Sequence, residues 1–314
     1  MNAPTKHNAE TPADPPYWVA QPSQPSLALP KGACDAHVHV FGPRARFPFA
    51  EGRSYTPSDA SKEMLFKLHD FLGIDHCVVV QPACHGADNS VTEDVVASTG
   101  GGYRGIALVP VDVADAELKR LAAVGLCGAR FHYMRHLSRN APIGDVIAFG
   151  KRLAEVGWHL QIHMEAELIG ELSPAIMTSP VPVVIDHIGR INASLGLDQK
   201  PFQDLLRLMD DNRHVWVKVS GADRITRAGP PYADAVPYAR RLVAEFGDRV
   251  VWGTDWPHPN HTHKPDDGGL VDLIADIAPT EAARQALLVG NPQRLYNFVT
   301  AKARPARWAL EAKS

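Results

Sequence analysis

Two histidines one residue apart, His37 and His39, begin the part of the chain that could do chemistry. In an extended segment alternate side chains share a face, so the two imidazoles are directed to the same side. His163 ends the apolar run Leu160-Gln161-Ile162, and His187 follows Val184-Ile185-Asp186. Asp255 stands inside Trp252-Gly253-Thr254-Asp255-Trp256-Pro257-His258. Singly, each has an ordinary structural explanation. A histidine at a strand end is more often a hydrogen-bonded structural residue, and an aspartate after Gly-Thr reads as a helix cap. Together, four imidazoles and a carboxylate at the ends of four strands would be costly to bury without a use. Imidazole and carboxylate are ligands that zinc prefers, and a catalytic zinc keeps one position open for water.

These side chains can meet only if the chain brings the ends of distant strands to one mouth. Eight short runs rich in β-branched residues, at 34–41, 76–83, 104–112, 126–133, 159–165, 181–189, 215–221 and 249–258, are read as strands. Amphipathic segments at 61–72, 115–124, 144–156, 200–211 and 232–246 are read as helices between them. Strands alternating with helices imply parallel pairing through right-handed crossovers. The expectation is an α/β protein, a (β/α)8 TIM barrel over residues 31–314, and 314 residues leave room for a barrel of about 250. No Gly-x-Gly-x-x-Gly follows the first run, which removes the usual reason to prefer an open doubly wound sheet. Residues 1–30, rich in Pro, Ala, Gln and Ser, are read as an irregular arm, flexible or lying on the surface. The segment 42–59 carries Pro43, Pro48 and Pro57 and is expected to form a lid or pocket wall.

Composition narrows the partners. A formal net charge of −3 gives no basic surface for nucleic acid or membrane. No run of about 18 apolar residues occurs, and no charged-then-apolar leader opens the chain. The four cysteines, Cys34, Cys77, Cys84 and Cys127, form no Cys-x-x-Cys pair, and three lie in or beside apolar runs. They are read as reduced core residues, which suits the cytoplasm. A partner subunit could order the N-terminal arm, so a homo-oligomer is compatible with the sequence. His7, His261 and His263 are expected to face solvent.

The order His-x-His, His, His, Asp on the first, fifth, sixth and eighth strands resembles the amidohydrolase superfamily. Longer strings resemble its lactonase branch, which opens 2-pyrone-4,6-dicarboxylate or 4-sulfomuconolactone. They are Asp35-Ala36-His37-Val38-His39-Val40-Phe41-Gly42-Pro43, Cys84-His85-Gly86-Ala87-Asp88-Asn89, Asp186-His187-Ile188-Gly189-Arg190 and Trp252-Gly253-Thr254-Asp255-Trp256-Pro257-His258-Pro259-Asn260. The likeness runs from about residue 32 to 296. It implies Asp255 as general base, with His37, His39 and His187 polarising a lactone carbonyl. It also implies Tyr55, Arg130, Arg190 and Arg224 as substrate-binding residues, the arginines holding its anions. His85, Trp256 and His258 are expected to line the same pocket.

Three positions depart from the dicarboxylate lactonases. Their tyrosine on the fifth strand is His163 here, a second arginine past the fourth strand is His136 beside Arg135, and a serine after the second strand is Ala83. His163 completes a mononuclear set with His37, His39 and Asp255, for which Zn2+ is the favoured ion and Mn2+ the next. His187 is then left to stabilise an oxyanion or activate water. The competing reading gives His163 a hydrogen bond to a substrate carboxylate and dispenses with the metal. The sequence favours 4-sulfomuconolactone, opened to maleylacetate and sulfite by metal-activated water with Asp255 as base. The alternatives are a metal-independent 2-pyrone-4,6-dicarboxylate lactonase, a metal-dependent decarboxylase of the same superfamily, and a ligand-binding barrel without catalysis.

Overall fold

A computed structural model describes residues 13–137, 141–261 and 263–299. Eight parallel strands lie side by side in chain order. They are β1 (Cys34–Val38), β2 (His76–Val80), β3 (Tyr103–Ala107), β4 (Leu126–Tyr133), β5 (His159–Met164), β6 (Val183–Ile185), β7 (Val215–Lys218) and β8 (Val250–Val251). Ala36 N–H donates to Trp252 O and Asp255 N–H to His37 O, both at 2.8 Å, so β1 meets the chain leaving β8 and the sheet nearly closes. The expected (β/α)8-like barrel is therefore present, with every expected strand.

The helices are α1 (Lys62–Leu72), α2 (Ser90–Ala97), α3 (Asp115–Val124), α4 (Ile143–Glu155), α5 (Ile169–Ile176), α6 (Lys200–Asp211), α7 (Ala222–Ile225), α8 (Val236–Phe246), α9 (Asp267–Ile277), α10 (Glu281–Gln285) and α11 (Asn291–Tyr296). Helix α6 shows why the longer ones form. Phe202, Leu205, Leu206, Leu208 and Met209 are buried while Arg207, Asp210 and Asp211 are exposed, which is one apolar stripe at helical spacing. Among the described residues no helix is long and apolar enough to cross a membrane.

Most of the core lies between sheet and helices, and a smaller cluster joins Cys34, Ala36, Val78, Val80, Ile106, Val184, Trp216 and Val251 to Tyr296 and Phe298. Strand β1 contributes Ala36 to the smaller cluster and Val38 to the larger one, so strict alternation fails between them. The cause is a register shift between Asp35 and Val38, where β1 takes one more residue than β2. Such a bulge re-aims the following side chains. Here it turns His37 and His39 to the side that Ala36 also faces, and both imidazoles enter the barrel mouth.

The strands are shorter than the sequence runs. β6 stops at Ile185 and β8 at Val251, so His187 and Asp255 stand in the segments beyond them. Both adopt left-handed backbone, φ 49° at His187 and 66° at Asp255, which no ladder can continue. Residues 13–32 hold no helix or strand. Ser23 N–H donates to Asp266 at 3.0 Å, Ser26 and Leu27 donate to Asp272 at 2.7 and 2.9 Å, and Trp18 packs on Trp256 with ring centroids 5.9 Å apart. Residues 1–12 and 300–314, with His7, lie outside the described part of the arm and barrel.

Candidate active site

The inward faces of β4 to β7 carry an ionic layer beneath the mouth. Arg130 Nε donates to Asp186 Oδ2 at 2.8 Å, and Gln161 Nε2 donates to the same oxygen at 3.2 Å. Lys218 Nζ lies 3.7 Å from Asp186 Oδ1 and donates to Ala36 O at 2.8 Å. Lys218 and Asp186 are fully buried. Burial raises the Asp186 carboxyl, but Arg130, then His37 and Lys218, outweigh that and hold it well below the usual carboxylate range. Burial pushes the Lys218 ammonium down to about 8. One carboxylate between two cations leaves the floor of the site positive.

Above this layer the predicted catalytic groups converge on Asp255. Its Oδ1 lies 3.7 Å from His37 Nε2 and 3.5 Å from His39 Nε2, and its Oδ2 lies 3.8 Å from His187 Nε2. Arg224 Nε donates directly to Oδ2, and its Nη1 donates to Pro259 O at 3.1 Å. Burial alone would raise the Asp255 carboxyl; Arg224, then His187 and His39, hold it well below its ordinary value. The imidazoles move the other way. Burial, then Lys218, depresses His37 strongly, burial lowers His39, and burial pushes His187 down to about 3. All three are neutral at pH 7.

A cavity of ≈ 250 Å³ opens over this cluster, lined by His39, Tyr55, Arg130, His163, His187, Arg190, Arg224 and Asp255, with Ala83 and His136 at the departing positions. Arg190 forms no ion pair among the described residues, and burial together with Arg224 pushes its guanidinium down to about 10. A half-buried cation left without a carboxylate at a cavity wall is suited to an anionic ligand. His163 faces the cavity from β5, with its Nδ1 3.4 Å from His132 Nδ1 on β4.

Among the described residues, the groups whose ligand atoms all come within 4.8 Å of one another are His37, His187 and Asp255. His39 approaches Asp255 but stands outside that group, and so does His163, which is turned toward His132. The expected set of His37, His39, His163 and Asp255 is thus brought to one mouth without being drawn to one point. His37 Nε2 and Asp255 Oδ1 are buried with no hydrogen-bond partner among the described residues. Two orphaned ligand atoms, one imidazole nitrogen and one carboxylate oxygen, beside the second imidazole of His187 fit a divalent cation by position, and the donor chemistry suits Zn2+ and Mn2+ alike.

Three expected pocket residues, His85, Trp256 and His258, lie elsewhere. His85 is buried behind the wall, with its Nδ1 3.1 Å from Pro48 O and its ring 4.8 Å from that of Phe49, so it braces the 42–59 loop. His258 is fully buried, its Nε2 3.0 Å from Asp267 Oδ1, and it ties the segment after β8 to α9. Trp256 packs on Trp18 on the arm side. His261 is not a solvent-side residue, because its Nε2 lies 2.5 Å from Asp223 Oδ2 and its side chain is largely buried. His263 stacks on Tyr232 at 5.7 Å.

Sequence reasoning passed over Asp186, Lys218 and Ser220 as functional residues. Ser220 Oγ lies 3.0 Å from His187 Nδ1 and fixes that ring. The signal was present: Lys218 and Ser220 are two apart, so alternation puts them on one face of the seventh run.

A model of the Amidohydrolase family matches residues 34–298. A 2-pyrone-4,6-dicarboxylate hydrolase of Comamonas testosteroni is 48% identical over 288 residues, covering 89% of this chain and 94% of its own. A 4-sulfomuconolactone hydrolase of Hydrogenophaga intermedia is 40% identical over 277 residues, covering 87% and 91%. Among solved structures, a probable 2-pyrone-4,6-dicarboxylic acid hydrolase of Acinetobacter baumannii with citric acid bound superposes with a TM-score of 0.74 at 25% identity, covering 85% of this chain and 100% of that one. With its strand order, its histidine-aspartate mouth and a family match across nearly the whole barrel, the chain belongs to the amidohydrolase superfamily, amidohydrolase-2 type, and is a hydrolase.

Proposed function

We propose that the chain hydrolyses a small unsaturated lactone bearing two carboxylates, of the 2-pyrone-4,6-dicarboxylate kind, with Asp255 as general base. The observation that carries this reading is the pairing of an ionised, buried Asp255 with the unpaired guanidinium of Arg190 across one small cavity. The sequence leaned toward 4-sulfomuconolactone. The 48% identity to a dicarboxylate hydrolase, against 40% for the sulfomuconolactone enzyme, moves the reading to the dicarboxylate.

The substrate carboxylates face Arg190, Arg224 and Arg130, with Tyr55 closing one side. Arg224 is shared between Asp255 and the substrate, so an incoming carboxylate loosens its hold on the base. Asp255 and the bare Nε2 of His39 accept hydrogen bonds from a water held over the ring. Asp255 takes one proton as the water oxygen bonds to the lactone carbonyl carbon. Charge on the carbonyl oxygen is met by imidazole N–H groups of His37 and His187. The carbon to ring-oxygen bond then breaks, the Asp255 proton passes to the leaving oxygen, and the product is a hydroxy or keto acid with one new carboxyl group, which releases the water's second proton to solvent. A divalent cation bound at His37, His187 and Asp255 would supply Lewis acidity to the carbonyl and lower the pKa of water. The dicarboxylate reading does not require it.

The 4-sulfomuconolactone reading keeps one observation in its favour: His163, not a tyrosine, faces the cavity. Steady-state assays of both lactones on the same preparation decide between them. A higher kcat/KM for the pyrone supports the proposal. A higher value for the sulfonated lactone would reverse it.

A further inference from the structure

The two histidines of the His-x-His pair are wired oppositely. His39 Nδ1 lies 2.7 Å from Val80 O. A carbonyl can only accept, so His39 carries its proton on Nδ1 and offers a bare Nε2 to the mouth. That is the arrangement in which metal-ligating histidines are normally held. His37 has a different neighbour. Its Nδ1 lies 3.3 Å from Lys218 Nζ, a group that as an ammonium can only donate. Asp186 Oδ1 lies slightly farther from His37 Nδ1, at 3.4 Å, and is left without a hydrogen-bond partner among the described residues. A ring nitrogen that accepts from Lys218 leaves the proton of a neutral imidazole on Nε2.

We infer that Lys218 is a positioning residue that fixes His37 as the Nε2–H tautomer, so that His37 turns an N–H toward Asp255 beneath the pocket and opposes capture of a divalent cation there. Lys218 touches neither the cavity nor Asp255, being fully buried beneath β1 with Nζ held by Ala36 O. Its route to the reacting groups is through His37 and through Asp186, 3.7 Å from Nζ. The groups around His37 agree with this. His37 Nε2 faces Asp255 Oδ1, an acceptor, and the His187 ring packs beside it at 4.5 Å. For His37 to ligate a metal its proton must move to Nδ1, into the space that Lys218 Nζ occupies. Only the identity of the oxygen that His37 meets rests on the lactonase reading; the tautomer does not.

The test uses the full chain with 15N-labelled histidine. Long-range 1H–15N spectra report each ring's tautomer, and the His37 signals are assigned by their loss in His37→Gln. The expected result is protonation of His37 at Nε2 and of His39 at Nδ1. In Lys218→Met the His37 proton is expected to move to Nδ1, toward Asp186. Zinc titrated into that variant should bind at least about tenfold more tightly than to the parent chain, as for other changes beside a ligand. On the dicarboxylate lactone the variant should lose kcat with little change in KM. A parent spectrum with His37 protonated at Nδ1 would overturn the inference, and needs no variant to fold. So would an unchanged tautomer and unchanged zinc affinity in a folded Lys218→Met. If the spectra come out as expected but the lactone is not opened, the wiring stands and only the lactonase reading fails.

Discussion

Acid should unfold this protein well before its carboxylates titrate. His159 and His187 are fully buried, and burial pushes each down to about 3. In the unfolded chain a histidine titrates near 6.5. The folded state therefore binds fewer protons than the unfolded state at every pH between these values, and stability falls with pH across that window. It is intact above about 6.5 and is lost progressively below it. At pH 5.0 the unfolded chain gains about 2 kcal/mol for each such histidine, hence about 4 kcal/mol for the pair. His37, His132 and His163 are lowered as well and act in the same direction. Total stabilities of about 5–15 kcal/mol make this a large fraction. Urea unfolding at pH 7.5 and 5.0, at one ionic strength, measures it. His159→Gln isolates one contribution away from the mouth and should shrink the difference by about 2 kcal/mol. A difference below about 1 kcal/mol in the parent chain, or an equal difference in the variant, would refute the reasoning.

Arg190→Met should raise KM for the dicarboxylate lactone about 10- to 100-fold with a smaller effect on kcat, as expected for one lost charge-assisted contact; an unchanged KM would remove Arg190 from the anion site. Gly221→Ala places a methyl group 2.9 Å from His187 Cβ at a residue with φ +76°. It should cost about 1–2 kcal/mol of stability and lower kcat more than tenfold by displacing the imidazole, read from unfolding and turnover on one sample. Because Lys218 opposes His37 as a ligand, chelation should leave ring opening intact; activity lost on chelation and restored by zinc would return the site to metal-assisted hydrolysis.

Much of this site was legible because period-two and period-3.6 patterns survive in single strands and helices. Helices α3 and α6 begin and end where the apolar spacing places them. Helix α2 was not picked out because Val91, Thr92, Val95 and Val96 are β-branched and lower helix propensity, and α5 because Gly170 and Pro174 interrupt it. Strand ends were overextended at β6 and β8, since left-handed backbone falls on His187 and Asp255 themselves, residue types that do not announce it. The catalytic types were visible, but not their partners. Alternation says that Lys218 and Asp186 point inward; it does not say that both reach His37, which depends on the bulge in β1. His85 and His258 were misplaced for a similar reason, because neighbourhood in a motif does not fix which wall a side chain meets.

The most direct test of the account is the rate of ring opening of 2-pyrone-4,6-dicarboxylate by the parent chain beside Asp255→Asn. The account predicts turnover by the parent and a loss of about 10²–10⁴ in kcat for the variant, with the lactone still bound. No turnover by the parent, or an Asp255→Asn variant as fast as it, would contradict the account.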